Sequence, residues 1–135
     1  AITAAEKILP GIVDKMKCYS YRVPTPVVGA ADITLQTEKG TTKKELLDLI
    51  KSVISIQKWP IMHINDEPLV SVDFTGTDYS AIIDARWFDV INGNLIKITL
   101  WYDNEYGYSR RVVDIARLLF DLKPKMHLHE KNSLS

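Results

Sequence analysis

Residues 101–109 read WYDNEYGYS, and they join two segments of clear periodicity. The preceding residues, 95–102, alternate between two faces, which predicts a β-strand. The following residues, 109–122, repeat apolar side chains at helical spacing, which predicts an amphipathic helix. A simple strand-to-helix turn needs only one capping residue and a glycine. The concentration of aromatic, acidic and amide side chains therefore indicates a candidate binding site at this junction.

Asn104 is the most informative polar residue of the junction. An asparagine side chain offers a hydrogen-bond donor and an acceptor together, and aromatic rings surround this one in sequence. Such an arrangement suits a planar ligand that carries an amide group. The alternative interpretation is a helix N-cap with aromatic packing around it. Chemistry alone leaves both interpretations open.

The other periodic segments predict an α+β fold. Residues 41–54 form the clearest helix, and Thr42 with Glu45 predicts a capping box at its start. Asn92-Gly93 predicts a type I′ hairpin. A short helix is expected at residues 4–9, and further strands at residues 17–23, 27–37, 60–64, 69–74 and 79–87. Adjacent strands without intervening helices favour a mostly antiparallel or mixed sheet with helices packed on one face.

The composition is that of one ordinary globular domain. The chain has 135 residues, of which 46% are hydrophobic and 25% charged. We expect a domain at residues 1–122 and a loose tail at residues 123–135. The 17 basic and 17 acidic residues cancel, so the charge balance favours neither nucleic acid nor a membrane surface as a partner. A single cysteine excludes an internal disulfide and is typical of a reducing compartment.

Five further blocks accompany the junction in a fixed order. They are RVPTP at 22–26, DITL at 32–35, VSVDF at 70–74, SAIIDA at 80–85 and RVVD at 111–114. With WYDNEYGYS, these blocks resemble the phosphorylating glyceraldehyde-3-phosphate dehydrogenases in order and spacing. The resemblance covers only the carboxyl-terminal catalytic domain of such an enzyme, and that domain is incomplete at its N-terminal end. One departure is Arg86-Trp87-Phe88, which is bulky where many members have small residues.

The resemblance implies an activity for the whole enzyme. It is the NAD-dependent conversion of glyceraldehyde 3-phosphate and inorganic phosphate to 1,3-bisphosphoglycerate in glycolysis. It also implies a cytoplasmic location and a homotetramer. Two alternatives remain: a paralogue of the erythrose-4-phosphate dehydrogenase type, or a non-catalytic interaction and assembly module.

The resemblance also assigns three site residues. Arg22 would bind the substrate phosphate, for which a guanidinium is suited. Its alternative is a surface salt bridge with Asp32 or another nearby carboxylate. Asn104 would hold the carboxamide of nicotinamide, and Tyr108 would lie near the edge of that ring.

We expect no catalytic residue in this chain. Cys18 lies in the predicted strand at 17–23, where a cysteine is usually a small core hydrophobe, and it is not the nucleophile. The nucleophilic Ser-Cys-Thr-Thr-Asn segment and the dinucleotide fingerprint Gly-x-Gly-x-x-Gly are both absent from the sequence. The chain begins with Ala1 rather than Met, which suggests a piece of a longer protein.

Three further expectations concern side chains outside the site. His63 is interpreted as structural, and the pair His127 and His129 lacks the further ligands that a metal site needs. Asp84 and Asp103 are interpreted as candidate internal hydrogen-bond partners. One face of the sheet is expected to be apolar enough for self-association, through Tyr79, Ile82, Trp87, Ile96, Ile98 and Leu100.

Overall fold

The computed structural model of this chain describes residues 2–121. The helices are α1 (Ile2–Glu6), α2 (Lys43–Ile56) and α3 (Tyr106–Asp121). The strands are β1 (Gly29–Gln36), β2 (Met62–Asn65), β3 (Ala81–Asp84), β4 (Asp89–Ile91) and β5 (Leu95–Tyr102). Two short 3₁₀ helices lie at Ser71–Phe74 and Ala85–Trp87.

The strands form one mixed sheet in the order β1-β5-β3-β2. β5 pairs antiparallel with β1 along its whole length, from Leu95 opposite Gln36 to Tyr102 opposite Gly29. Its first half also pairs antiparallel with β4, and its second half with β3. β2 runs parallel to β3. The predicted α+β class with a mixed sheet is confirmed.

The turn between β4 and β5 has the geometry that its sequence predicts. Asn92 and Gly93 have φ angles of 51° and 76°. A type I′ turn requires positive φ at both central residues, and Asn and Gly adopt such angles most readily. The turn therefore fixes the register that brings β5 to its end at Tyr102, directly before the candidate site.

Helix α2 begins with the predicted capping box. The Thr42 hydroxyl accepts a hydrogen bond from the Glu45 N–H at 3.2 Å, and the Glu45 carboxylate accepts one from the Thr42 N–H at 2.8 Å. The helix packs against one side of the sheet, where the buried residues are Ile83, Phe88 and Ile96. This packing forms one of two hydrophobic clusters.

The second hydrophobic cluster packs the sheet against the loops that lead to the candidate site. Its buried residues are Val28, Phe74 and Ile82, with Tyr79 and Trp101 packed against them. The rings of Phe74 and Trp101 are stacked, with centroids 5.7 Å apart. Because Phe74 and Trp101 come from different elements, this cluster connects the loop after residue 74 to the end of β5.

The strand predicted at residues 17–23 is wrong. These residues form neither helix nor strand, and Tyr19 and Tyr21 are more than four-fifths exposed. Alternation produces a strand only where a neighbouring strand supplies hydrogen bonds, and no strand within residues 2–121 pairs with this segment. The placement of Cys18 in the core is wrong for the same reason, because Cys18 is exposed.

Other predicted elements also differ from the structure. The strand predicted at 79–87 ends early, because residues 85–87 form a 3₁₀ helix. Residues 71–74 form a 3₁₀ helix rather than part of a strand, and the Asp73 carboxylate accepts a hydrogen bond from the Val70 N–H at 2.8 Å. Such local side-chain bonds compete with strand pairing. Helix α3 begins at Tyr106 rather than at residue 109, so residues 106–109 of the junction segment belong to the helix.

The predicted apolar sheet surface is also wrong as a single face. Ile96, Ile98 and Leu100 belong to the cluster under α2, whereas Ile82 is buried in the other cluster. The alternation of faces within β5 agrees with the prediction, but α2 covers the side of the sheet that carries Ile96, Ile98 and Leu100.

No helix within residues 2–121 is long and apolar enough to cross a membrane. The same part of the chain contains no group of three or more His, Cys, Asp or Glu side chains that could hold a metal ion. The predictions for the tail at 123–135, including His127 and His129, lie outside the described residues.

Candidate functional site

Asp103 lies at the centre of the junction between β5 and α3. It is 2% exposed. One carboxylate oxygen, Oδ1, accepts hydrogen bonds from the N–H groups of Glu105 at 2.9 Å and Tyr106 at 3.0 Å. The other, Oδ2, accepts one from the Gly76 N–H at 2.8 Å. Asp103 therefore caps the first turn of α3 and joins it to a loop far away in sequence.

These contacts keep the Asp103 carboxylate ionised. Burial alone would raise the pKa of Asp103, but hydrogen bonds from the N–H groups of Tyr106, Gly76 and Glu105 outweigh it, so its pKa is lowered. A carboxylate that accepts several backbone hydrogen bonds is stabilised in its charged form. The first turn of α3 thus carries a fixed negative charge at its positive dipole end.

Helix α3 is held a second time at Gly107. A Cβ atom built on Gly107 would lie 2.9 Å from the carbonyl oxygen of Tyr79. The absence of a side chain lets the helix approach the backbone before β3 this closely. Gly107 also donates its N–H to the Asp103 carbonyl at 2.9 Å.

A third anchor is formed by Arg111. Its guanidinium lies 2.7 Å from the carboxylate of Asp114, which is 1% exposed. It also donates hydrogen bonds to the Ser80 hydroxyl at 3.1 Å and to the Pro60 carbonyl at 3.2 Å. The sequence signal for this anchor was the spacing of Arg111 and Asp114, which places both side chains on one helix face.

The three anchors surround a small cavity of about 260 Å³. Its lining combines residues from the end of β5, from the junction, from α3 and from the segment before β3: Ser80, Tyr102, Asp103, Asn104, Gly107, Tyr108 and Arg111. The volume is below the roughly 300–1,000 Å³ of ordinary ligand pockets, so it suits one ring and its substituent better than a whole dinucleotide. Asn104 and Tyr108, both predicted as cofactor-binding residues, lie in this one lining.

Arg22 lies apart from that cavity. It is exposed in the irregular segment before β1, and it forms no hydrogen bond or ion pair with any other residue within 2–121. The salt bridge with Asp32, considered as an alternative, is not formed, because Asp32 pairs with Lys97 at 2.6 Å. The chain between Arg22 and β1 passes through Val28, which is buried and has a left-handed φ of 68°.

Asp84 organises a second buried network next to β5. It is fully buried and lies 2.6 Å from the guanidinium of Arg86. The Trp101 indole N–H donates to the Asp84 carboxylate at 3.0 Å, and Arg86 also donates to the Leu69 carbonyl at 2.9 Å. The interpretation of Asp84 and Asp103 as internal hydrogen-bond partners is confirmed, and both act as acceptors. Sequence reasoning missed Arg86, although its unusual bulk in this motif was the available signal.

The Arg86 partner sets the charge state of Asp84. Hydrogen bonding to Arg86 lowers the pKa of Asp84, burial acts in the opposite direction, and the Trp101 N–H adds to the lowering. Asp84 is therefore ionised. Its carboxylate holds the indole of Trp101, which lies two residues before Asp103.

A larger cavity of about 350 Å³ lies between α2 and β2. Lys51, His63 and Asp66 line it together with aliphatic side chains of both elements. The His63 ring stacks on Tyr79 with centroids 4.9 Å apart, a packing role that agrees with the structural interpretation of this histidine. None of the predicted site residues lines this cavity, so the smaller one is the candidate site.

Comparison with known proteins agrees with the motifs that surround this cavity. The protein-family model described as "Glyceraldehyde 3-phosphate dehydrogenase, C-terminal domain" matches residues 1–104. The chain belongs to the glyceraldehyde-3-phosphate dehydrogenase family. The resemblance read from the motifs is therefore confirmed.

Three relatives in this family illustrate the extent of the match. The chain is 39% identical over 118 residues to glyceraldehyde-3-phosphate dehydrogenase A, chloroplastic, of Chlamydomonas reinhardtii, covering 87% of this chain and 32% of that protein. It is 41% identical over 117 residues to glyceraldehyde-3-phosphate dehydrogenase 3, cytosolic, of Zea mays, covering 87% and 35%. It is 36% identical over 119 residues to glyceraldehyde-3-phosphate dehydrogenase 2 of Synechocystis, covering 88% and 35%. The chain thus spans about a third of the length of these relatives.

Proposed function

We propose that this chain is the C-terminal catalytic domain of an NAD-dependent phosphorylating glyceraldehyde-3-phosphate dehydrogenase. In that enzyme, glyceraldehyde 3-phosphate and inorganic phosphate would be converted to 1,3-bisphosphoglycerate, and NAD when bound would supply the hydride acceptor. The observation that carries the proposal is the shared lining of Asn104 and Tyr108 around one cavity of about 260 Å³ at the start of α3.

Asn104 would hold the nicotinamide carboxamide. Its side-chain oxygen would accept from the carboxamide NH₂, and its own NH₂ would donate to the carboxamide oxygen. This pairing fixes which face of the ring meets the substrate, because the carboxamide is conjugated with the ring. Tyr108, which is 71% exposed, would bound the ring at the open side of the cavity.

Arg22 would bind the phosphate of the substrate. The structure leaves its guanidinium exposed and without a carboxylate partner within residues 2–121, so its donors are available to an anion. The two prolines that follow it, Pro24 and Pro26, restrict the backbone of the segment. A guanidinium pairs with phosphate through two parallel hydrogen bonds.

The role of Asn104 is tested in the full-length enzyme with Asn104→Ala. The affinity for NAD is compared with that for ADP-ribose, which lacks nicotinamide. We expect about ten-fold weaker binding of NAD and unchanged binding of ADP-ribose. Gln36→Ala, which removes an exposed amide on β1, is the matched control. Equal effects on both ligands would contradict the proposal.

The role of Arg22 is tested with Arg22→Ala. The ratio kcat/KM should fall about ten- to hundred-fold for glyceraldehyde 3-phosphate and remain unchanged for unphosphorylated glyceraldehyde. Lys17→Ala removes a positive charge from the same exposed segment and should leave both ratios unchanged. A higher kcat/KM for erythrose 4-phosphate than for glyceraldehyde 3-phosphate would instead assign the enzyme to the erythrose-4-phosphate type.

We also propose that the 135-residue chain alone has no dehydrogenase activity. Cys18 is exposed in an irregular segment, and it lies outside any Ser-Cys-Thr-Thr-Asn motif of the kind that holds the nucleophile in the family. Loss of a nucleophile and its base typically removes several orders of magnitude of rate. NADH production from glyceraldehyde 3-phosphate by the pure chain would overturn this. A cytoplasmic location and a homotetrameric enzyme remain proposals, and the relatives include both chloroplastic and cytosolic proteins.

A further inference from the structure

Asp103 uses its two carboxylate oxygens for different purposes. Oδ1 accepts from the N–H groups of Glu105 and Tyr106, which completes a helix cap. Oδ2 accepts from the N–H of Gly76 at 2.8 Å, across 27 positions of sequence. Serine or asparagine would satisfy the cap equally well. The second oxygen therefore makes a contact that capping does not require.

The loop at Gly76 is itself firmly placed. It follows the 3₁₀ helix Ser71–Phe74, and the Phe74 ring is buried against Trp101. Gly76 has a φ of 76°, a conformation that favours glycine. The Gly76 N–H thus offers a fixed donor on the hydrophobic cluster beneath the end of β5.

Asn104 follows Asp103 directly and depends on its neighbours for its direction. Its side chain is exposed, and it takes part in no hydrogen bond with any residue between 2 and 121. No side-chain partner therefore orients its amide before a ligand binds. The backbone at Asp103 and Glu105 therefore sets the position from which the Asn104 side chain reaches the cavity.

We propose that Asp103 is a positioning residue, which holds the Asn104 amide in its binding direction by tying the first turn of α3 to Gly76. This inference rests on the proposed function of Asn104. Without the Gly76 contact, the first turn keeps its cap and its anchors at Gly107 and Arg111, but it loses its direct hydrogen bond to the loop beside Phe74. Precise placement matters because hydride transfer depends strongly on the position of the ring.

Two substitutions distinguish the hydrogen bond between Asp103 and Gly76 from the capping of α3 by Asp103. Asp103→Asn keeps Oδ1 as an acceptor for the helix N–H groups, and it places an NH₂ group, which cannot accept, opposite the Gly76 N–H. Asp103→Ser also keeps a capping oxygen but is too short to reach Gly76. Both are made in the full-length enzyme, each alone and combined with Asn104→Ala.

The measurements are the affinities for NAD and ADP-ribose, kcat, and KM for glyceraldehyde 3-phosphate. We expect each Asp103 variant to bind NAD about ten-fold more weakly and to have a kcat lowered about ten-fold. Binding of ADP-ribose and KM for the aldehyde should remain unchanged. In the Asn104→Ala background, the Asp103 substitutions should add little further loss of NAD affinity, because the side chain that they orient is absent.

The outcomes separate the two claims. If Asn104→Ala discriminates NAD from ADP-ribose but the Asp103 variants do not, the positioning role is wrong and the proposed function stands. If Asn104→Ala does not discriminate the two ligands, the proposed function itself is wrong. If the Asp103 variants weaken NAD and ADP-ribose equally, or if their effects add fully to that of Asn104→Ala, Asp103 is a structural residue only and the inference is overturned.

Discussion

Gly107 and Tyr79 are in such close contact that a Cβ atom on Gly107 would lie 2.9 Å from the Tyr79 carbonyl oxygen. This contact sets the distance between α3 and the backbone that enters β3. The atom in contact belongs to the backbone, so it cannot move aside as a flexible side chain can. Only a glycine fits at position 107. This close contact therefore fixes where α3 begins, and with it the candidate site.

Gly107→Ala should therefore destabilise the chain. Alanine favours a helix by about 1 kcal/mol over glycine, but the overlap with Tyr79 should cost about 1–3 kcal/mol, so the net change is a loss. Gly40→Ala is the matched control, because its nearest contact, the Gly93 carbonyl oxygen, lies 3.6 Å away. Urea unfolding of both variants measures the difference. Equal stability of Gly107→Ala and Gly40→Ala would contradict the close packing.

Asp84→Ala should lower the free energy of unfolding by about 2–3 kcal/mol. It leaves the Trp101 N–H and the Arg86 guanidinium without their acceptor next to a buried strand. Asp32→Ala is the control, since its ion pair with Lys97 has the same length, 2.6 Å, but its carboxylate is exposed. An exposed pair contributes less than about 1 kcal/mol. Similar losses in both variants would show that burial of Asp84 has no energetic role.

Acid should destabilise the chain through Asp84 and Asp103. Both carboxyl groups have a pKa lowered from the usual 3.8, so the unfolded chain takes up their protons at a higher pH than the folded chain does. Their stabilising contribution is complete above that value and is lost as the pH falls through the lowered values. Urea midpoints measured between pH 6 and pH 2 should fall mainly below about pH 4. Asp84→Asn should show a smaller acid-dependent loss than the unmodified chain, and an equal loss would contradict this assignment.

Much of the framework was predictable from the sequence because its signals are local. The alternation of residues 95–102, the Asn92-Gly93 turn and the Thr42–Glu45 capping box each depend on neighbours within a few positions. The strand predicted at 17–23 failed because pairing depends on another strand. The shared lining of Asn104 and Tyr108 also follows from their local spacing at the start of α3.

The rest of the site depends on contacts that sequence spacing does not reveal. The bond from Gly76 to Asp103 crosses 27 positions, and Arg111 reaches Ser80 across 31. The packing of Phe74 against Trp101 determines which loop lies beside the start of α3. The sequence indicated that Asp103 forms internal hydrogen bonds, but it did not indicate that Gly76 donates one of them.

Self-association of the 135-residue chain is expected through α3. The helix exposes an apolar stripe, in which Val112 is 48%, Ile115 55% and Leu119 61% exposed. A second copy of the chain could cover such a stripe and remove it from water. Light scattering at high micromolar concentration should report species larger than a monomer, and Leu119→Lys should reduce them. Arg117→Lys, on an exposed position of the same helix, should not. A purely monomeric chain would contradict the expectation.

The central claim is that Asn104 holds the nicotinamide carboxamide in the cavity at the start of α3. The most direct measurement is the distance between the Asn104 side-chain amide and that carboxamide in a crystal structure of the full-length enzyme with NAD. We predict a hydrogen bond of about 2.7–3.2 Å, with the Asp103–Gly76 contact retained. A separation above about 3.5 Å, with the carboxamide bound to another residue, would contradict the account.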